Sequence, residues 1–68
     1  MELVGKILKS KINGNLFRVA DLFTEDGRQF YTIYDMSDGG YVAIEKGWFE
    51  VGYMQNLEIV NQEGAYNG

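Results

Sequence analysis

The 68-residue chain has no cysteine, no histidine and no proline. Each absence removes something. Without cysteine there is no disulfide to staple a small domain, and no thiolate to hold a metal. Without either cysteine or histidine, the usual zinc sites and the Cys–His and Ser–His nucleophile pairs are excluded. A carboxylate-only enzyme is the one catalytic plan left. No glycine loop has the form that cradles a phosphate, because Gly39-Gly40 leads into a strand-like run rather than a helix bearing Lys-Ser/Thr. These absences point to a protein that is not an enzyme and needs no cofactor. No stretch approaches the roughly 20 apolar residues of a membrane-crossing helix. The opening MELVGKILKSKI is broken by Lys6 and Lys9 and reads as mature chain rather than a secretory leader. A cytoplasmic protein that makes no membrane contact is the resulting expectation.

Rings are abundant instead. Four Phe, five Tyr and one Trp sit in a chain that is 46% hydrophobic. A domain this small buries only roughly 60% of the surface its unfolded chain exposes. Large rings, which bury about 150–250 Å² each, must supply much of the core.

Charge is unevenly spread. The net is −4. The first eleven residues carry Lys6, Lys9 and Lys11 against Glu2, whereas the rest carries Arg18, Arg28 and Lys46 against all the other acids. An acidic surface repels phosphates and favours basic partners, so it argues against sequence-independent nucleic-acid binding.

Punctuation is by turns. Asn13-Gly14, Glu25-Asp26-Gly27 and Ser37-Asp38-Gly39-Gly40 divide the chain into short apolar runs. Such residues tolerate the positive φ that hairpins need. The spacing predicts a small all-β barrel or sandwich. Leu3, Val4, Ile7, Leu8 and Ile12 also recur at helical spacing, so a helix over residues 2–12 competes with a first strand. Gly5 and the turn after Ile12 favour the strand. Lys6, Lys9 and Lys11 would then keep it soluble as an edge. In the later runs, period-two alternation groups Phe17 with Val19, Phe30 with Tyr34, and Val42 with Ile44. The expected core is Phe17, Val19, Phe30, Val42, Ile44, Phe49 and Ile59. Trp48-Phe49 breaks the alternation and predicts a tight helical turn before a last strand, LEIV. Residues 1–60 form the expected domain, and residues 61–68 a flexible tail.

Five strands with a helical turn before the fifth make the plan of an SH3-like barrel. Tyr31-Thr32-Ile33-Tyr34-Asp35, Gly39-Gly40-Tyr41-Val42 and Phe49-Glu50-Val51 resemble a group of small SH3-like β-barrel proteins encoded by phages and prophages of Gram-positive bacteria. The resemblance spans residues 28–51. The family's proline in the last segment is replaced here by Lys46-Gly47. The resemblance implies a fold and an origin, and a role in the host cell as an inhibitor or adaptor.

The candidate binding residues are Tyr31, Tyr34, Tyr41 and Trp48 as an exposed aromatic strip, with Asp35 and Asp38 at its rim. Barrels of this type bind peptides through such strips. The expected partner is a protein with a basic patch. Base stacking on the tyrosines of a single-stranded nucleic acid is the alternative, as is a structural or self-associating subunit, so a homo-oligomer stays open. Asp21, Glu25, Asp26, Asp35 and Asp38 fall at strand ends and turns, where they could gather at one end of the barrel or simply form the turns. The DMSDGG stretch lacks the oxygen ligands at fixed spacing that calcium requires.

Overall fold

In the computed structural model, residues 3–60 are described, so the expected tail at 61–68 lies outside them. The strands are β1 (Ile7–Ser10), β2 (Leu16–Glu25), β3 (Arg28–Asp35), β4 (Tyr41–Glu45) and β5 (Leu57–Val60). They form one antiparallel sheet in the order β4-β3-β2-β1-β5. Between β4 and β5 the chain coils through Lys46–Trp48, Phe49–Tyr53 and Met54–Asn56. This meander, with its helical segment before the last strand, is the SH3-like barrel arrangement. The helical segment is longer than the single turn expected, because three short helices of different winding follow one another.

Turn chemistry explains the hairpins. Asp26 and Gly27 both have positive φ (53° and 77°), and they join Glu25 directly to its partner Arg28. Paired positive φ matches the right-handed twist of the strands, which is why Asp-Gly suits this two-residue turn. The connection after β1 is wider. Only Gly14 is left-handed there, and the loop is tied internally: Ser10 Oγ accepts from the amides of Ile12 and Asn13, and Asn13 Oδ1 from that of Asn15.

The competing helix at the N-terminus does not form. Gly5, at φ 93°, donates its N–H to the Val19 carbonyl at 2.8 Å and turns the chain into β1. β1 is not an edge strand, contrary to expectation, because β5 returns to pair with it on the side away from β2. Its lysines therefore do not guard an edge.

The core consists of Leu3, Leu8, Val19, Tyr31, Ile33 and Phe49. Val19 and Phe49 meet expectation, and Phe17 and Ile44 pack partly buried against the cluster. Phe30 does not belong to it. β3 turns Tyr31 and Ile33 inward, so Phe30 faces out, and β2 follows it only through a bulge: Val19 pairs with Ile33 and Asp21 with Thr32, leaving Ala20 without an opposite number. One extra residue reverses which side of the strand faces in. Leu22, opposite Tyr31, thus packs on the core, while Phe23 and Phe30 stack on the outer face with ring centroids 5.4 Å apart. Val42 and Ile59 have the expected inward register, opposite Ile33 and Leu8, yet remain 53% and 36% exposed. Both lie on the two strands that end the sheet, where no further strand covers them.

Burial ranks the aromatic residues for stability. Truncating a buried Phe to Ala costs about 3–5 kcal/mol, and the whole domain is expected to hold little more than about 5 kcal/mol. Phe49→Ala should leave most molecules unfolded at 25 °C. Phe30→Ala should cost clearly less and retain a cooperative urea transition. Equal loss in both variants would contradict the assignment of Phe30 to the outer face.

Candidate functional site

The inner face of the sheet is incompletely closed. On one side stand Val42 and Ile44 of β4 with Ile33 and Phe17 behind them. On the other are Ile12 in the β1–β2 loop and Tyr53 in the helical segment, with Phe49 and Leu57 forming the floor. Together they line an open cleft of about 410 Å³, completed by Ser10, Gly52 and Asn56, with no charged residue in its wall. That size falls within the range of ligand pockets, about 300–1,000 Å³. Its mouth is apolar: Ile12, Val42 and Tyr53 are 76%, 53% and 46% exposed. The Ile12 and Tyr53 side is held together, and to the floor, by backbone and ring contacts. The Lys11 N–H donates to the Asn56 carbonyl at 2.8 Å, and Phe49 stacks on Tyr53 at 5.8 Å.

The expected aromatic strip divides into separate parts. Tyr31 is not on the surface. It is fully buried, against Phe49 at 5.4 Å between centroids, and its hydroxyl donates to Glu50 Oε2 at 3.0 Å. It points inward because β3 alternates regularly and turns Tyr31 and Ile33 to the core. A partner therefore cannot be anchored on it. Tyr34 and Tyr41 do stand together on the outer face, opposite one another in register and 4.9 Å apart between ring centroids. Arg18 lies 5.9 Å from the Tyr34 ring, a cation–π distance. Tyr41 is 68% exposed and is the outermost ring of this pair. Trp48, also well exposed, belongs to neither cluster and sits in the helical segment near exposed Val51.

The acids do not gather. Glu25 and Asp26 lie at one end of β3 and Asp35 and Asp38 at the other, with the eight residues of the strand between them. Asp35 and Asp38 act first as turn formers. Their Oδ1 atoms each accept a backbone N–H, from Ser37 and from Gly40, both at 2.8 Å. Asp35 also pairs with Phe17, so it lies at the Phe17 end of the apolar cleft. Among the described residues no cluster of acids suits a metal ion. No helix among them is long and apolar enough to cross a membrane.

Sequence reasoning missed Ile12 and Tyr53 as site residues. The signal was a large apolar residue in a turn: Ile12 directly precedes Asn13-Gly14, where a polar residue would be expected. The cleft itself could not be read, since its walls come from four distant stretches of chain. No family model matches this chain, and neither a curated protein nor a solved structure is detectably similar to it.

Two carboxylates are held by hydrogen bonds outside the cleft. Glu50 receives a hydrogen bond from Lys46 and a second from Tyr31, and both keep its pKa below the ordinary 4.5. Glu45 is held below the same value, chiefly by its hydrogen bonds from Arg28 at 2.9 and 3.0 Å. A depressed carboxyl pKa contributes stability that is present above the unfolded value and lost as pH falls through the folded one. The urea midpoint should therefore fall as pH drops below the unfolded value near 4.5. Glu50→Gln should lower stability at pH 7 and narrow its gap to the parent at pH 3. A gap that is constant with pH would show that the Glu50 charge contributes nothing.

Proposed function

We propose that this chain is a non-catalytic protein-binding module that receives an apolar side chain of a partner in the open cleft. The carrying observation is the uncharged cleft of about 410 Å³ with exposed Ile12, Val42 and Tyr53 around its mouth. Contiguous apolar surface rimmed by polar residues marks interaction sites on soluble proteins. Asp35 at one end of the cleft and Asp38 in the adjoining turn select a partner with basic residues beside its apolar anchor. Tyr41 and Tyr34 provide a second contact on the outer side of β4. The likeness to small phage-encoded barrels makes a host protein the partner class, with the chain serving as inhibitor or adaptor. The alternative, base stacking on the tyrosines, keeps only the Tyr34–Tyr41 pair with Arg18 beside it, since Tyr31 is buried.

Selection of random peptides on the immobilised protein tests this reading. Enriched sequences should share one bulky apolar residue flanked by Lys or Arg. Their binding should perturb the backbone resonances of Ile12, Val42 and Tyr53. Ile12→Asp should weaken the selected peptides by about 30-fold, the equivalent of about 2 kcal/mol for losing an anchor contact. Substituting Asp38→Asn should weaken them only at low salt, because exposed charges are screened beyond about 8 Å at physiological ionic strength. Peptides without an apolar anchor, or binding that leaves Ile12 and Val42 unperturbed, would overturn the proposal.

A further inference from the structure

β4 ends the sheet, and its free edge has a pattern that fits itself. The Asp35 N–H donates to the Gly40 carbonyl at 2.8 Å, which fixes the phase of the β3–β4 ladder. Bonded positions alternate along an antiparallel pair. Val42 and Ile44, with the Gly40 carbonyl, thus direct their backbone groups toward β3, and Tyr41, Ala43 and Glu45 direct theirs away from the sheet. Among the described residues no strand lies beyond them. An exposed edge of this kind is a template for another strand unless charge, proline or a bulge blocks it. β4 has none of these devices: it reads YVAIE, runs in unbroken register with β3, and its one charge, Glu45, is engaged by Arg28.

We propose that the partner of this edge is β4 of a second copy of the chain, paired antiparallel about a twofold axis at Ala43. In that register Ala43 lies opposite Ala43, and Tyr41 opposite Glu45, so all three outward-directed residues on each copy exchange backbone hydrogen bonds. Faces also match. Val42 meets Ile44 on the inner side, apolar on apolar, while Tyr41 meets the Glu45 carboxylate on the outer side, where its hydroxyl has an acceptor. Shifting the pairing by one residue would set inner side chains against outer ones. Charge favours the same orientation. The acidic Asp35–Asp38 turn precedes β4 and Lys46 follows it, so antiparallel pairing separates the two acidic turns and sets Lys46 opposite Gly40 of the second copy, two residues from that copy's Asp38. Five-residue edges bury less than the roughly 800 Å² per partner of a stable interface. The dimer is therefore weak and reversible.

Sedimentation equilibrium of the full chain between about 10 μM and 1 mM, a span set to bracket a weak small-interface dimer, reads the association directly. A concentration-dependent monomer–dimer equilibrium is expected, and a monomer throughout would overturn the proposal. Ala43 is exposed on the outer face, so charges there leave the monomer's fold intact. Ala43→Lys and Ala43→Glu should each weaken self-association by up to about fivefold, because like charges then stand directly opposite. An equimolar mixture of the two variants should restore a dimer as tight as the parent's or tighter. A dimer indifferent to both substitutions, or a mixture that fails to restore association, would show that β4 edges do not meet in this register.

Discussion

A tyrosine hydroxyl in the middle of a small core must find a partner, because an unpaired buried polar group costs about 1–3 kcal/mol. Tyr31 solves this by reaching the start of the helical segment. Its hydroxyl donates to Glu50, Glu50 is bridged to Lys46 at 3.1 Å, and its ring meets Phe49 edge-on. One side chain therefore fastens the segment between β4 and β5 to the centre of β3. The rest of the architecture follows from that attachment. Phe49, the only buried residue of the segment, is held against the sheet, and Tyr53 stacks on Phe49 to form one wall of the cleft. Had residue 31 been Phe, the ring would pack, but the segment would lose its directional tie.

The cleft exists because the sheet is short of strands rather than because residues were hollowed from a core. β4 and β5 are both ends of the sheet, and the helical segment spans the gap without filling it. Val42 and Ile44 keep their inward register, so their apolar faces line the opening. Among the described residues no further strand covers that surface. The same shortage leaves the outer face lightly covered, and there paired rings stand in for a second layer: Phe23 on Phe30 at one end of β3, and Tyr34 on Tyr41 at the other. Such pairs add about 0.5–1.5 kcal/mol beyond their area, a useful fraction of a marginal stability.

How much of this could be read in the sequence depends on range. Local chemistry was legible. Asp26-Gly27 forms the tight hairpin turn its residues demand, and the strand boundaries follow from the turns. The break in alternation at Trp48-Phe49 marked the helical segment, and Phe49 is buried as that reading required. Phase was not legible, because it turns on one residue. Leu22 lies three positions from Val19, and both can face the core only if the strand gains a residue between them. Ala20, small and easily left unpaired, is where it does so. That single bulge puts Leu22 inside and Phe23 outside, while β3 keeps its period of two and turns Tyr31 in and Phe30 out. The site suffered more, since Tyr31 was counted as a surface ring, and the cleft depends on contacts between residues more than 40 positions apart.

The two faces of β4 impose different demands on one five-residue strand. On its inner side Val42 and Ile44 must stay apolar to border the cleft. On its outer side Tyr41 stacks on Tyr34, and Glu45 holds Arg28 beside the β2–β3 turn. Ala43 alone has neither task, as its side chain lies opposite Thr32 on the outer face and is exposed. A strand so committed on both faces cannot carry the lysine or proline that would block its edge without giving up a contact, except at Ala43. The smallest residue at that position leaves the backbone approachable from the side. The open edge and the open cleft thus have one cause, which is that β4 ends the sheet and no further strand among the described residues covers it.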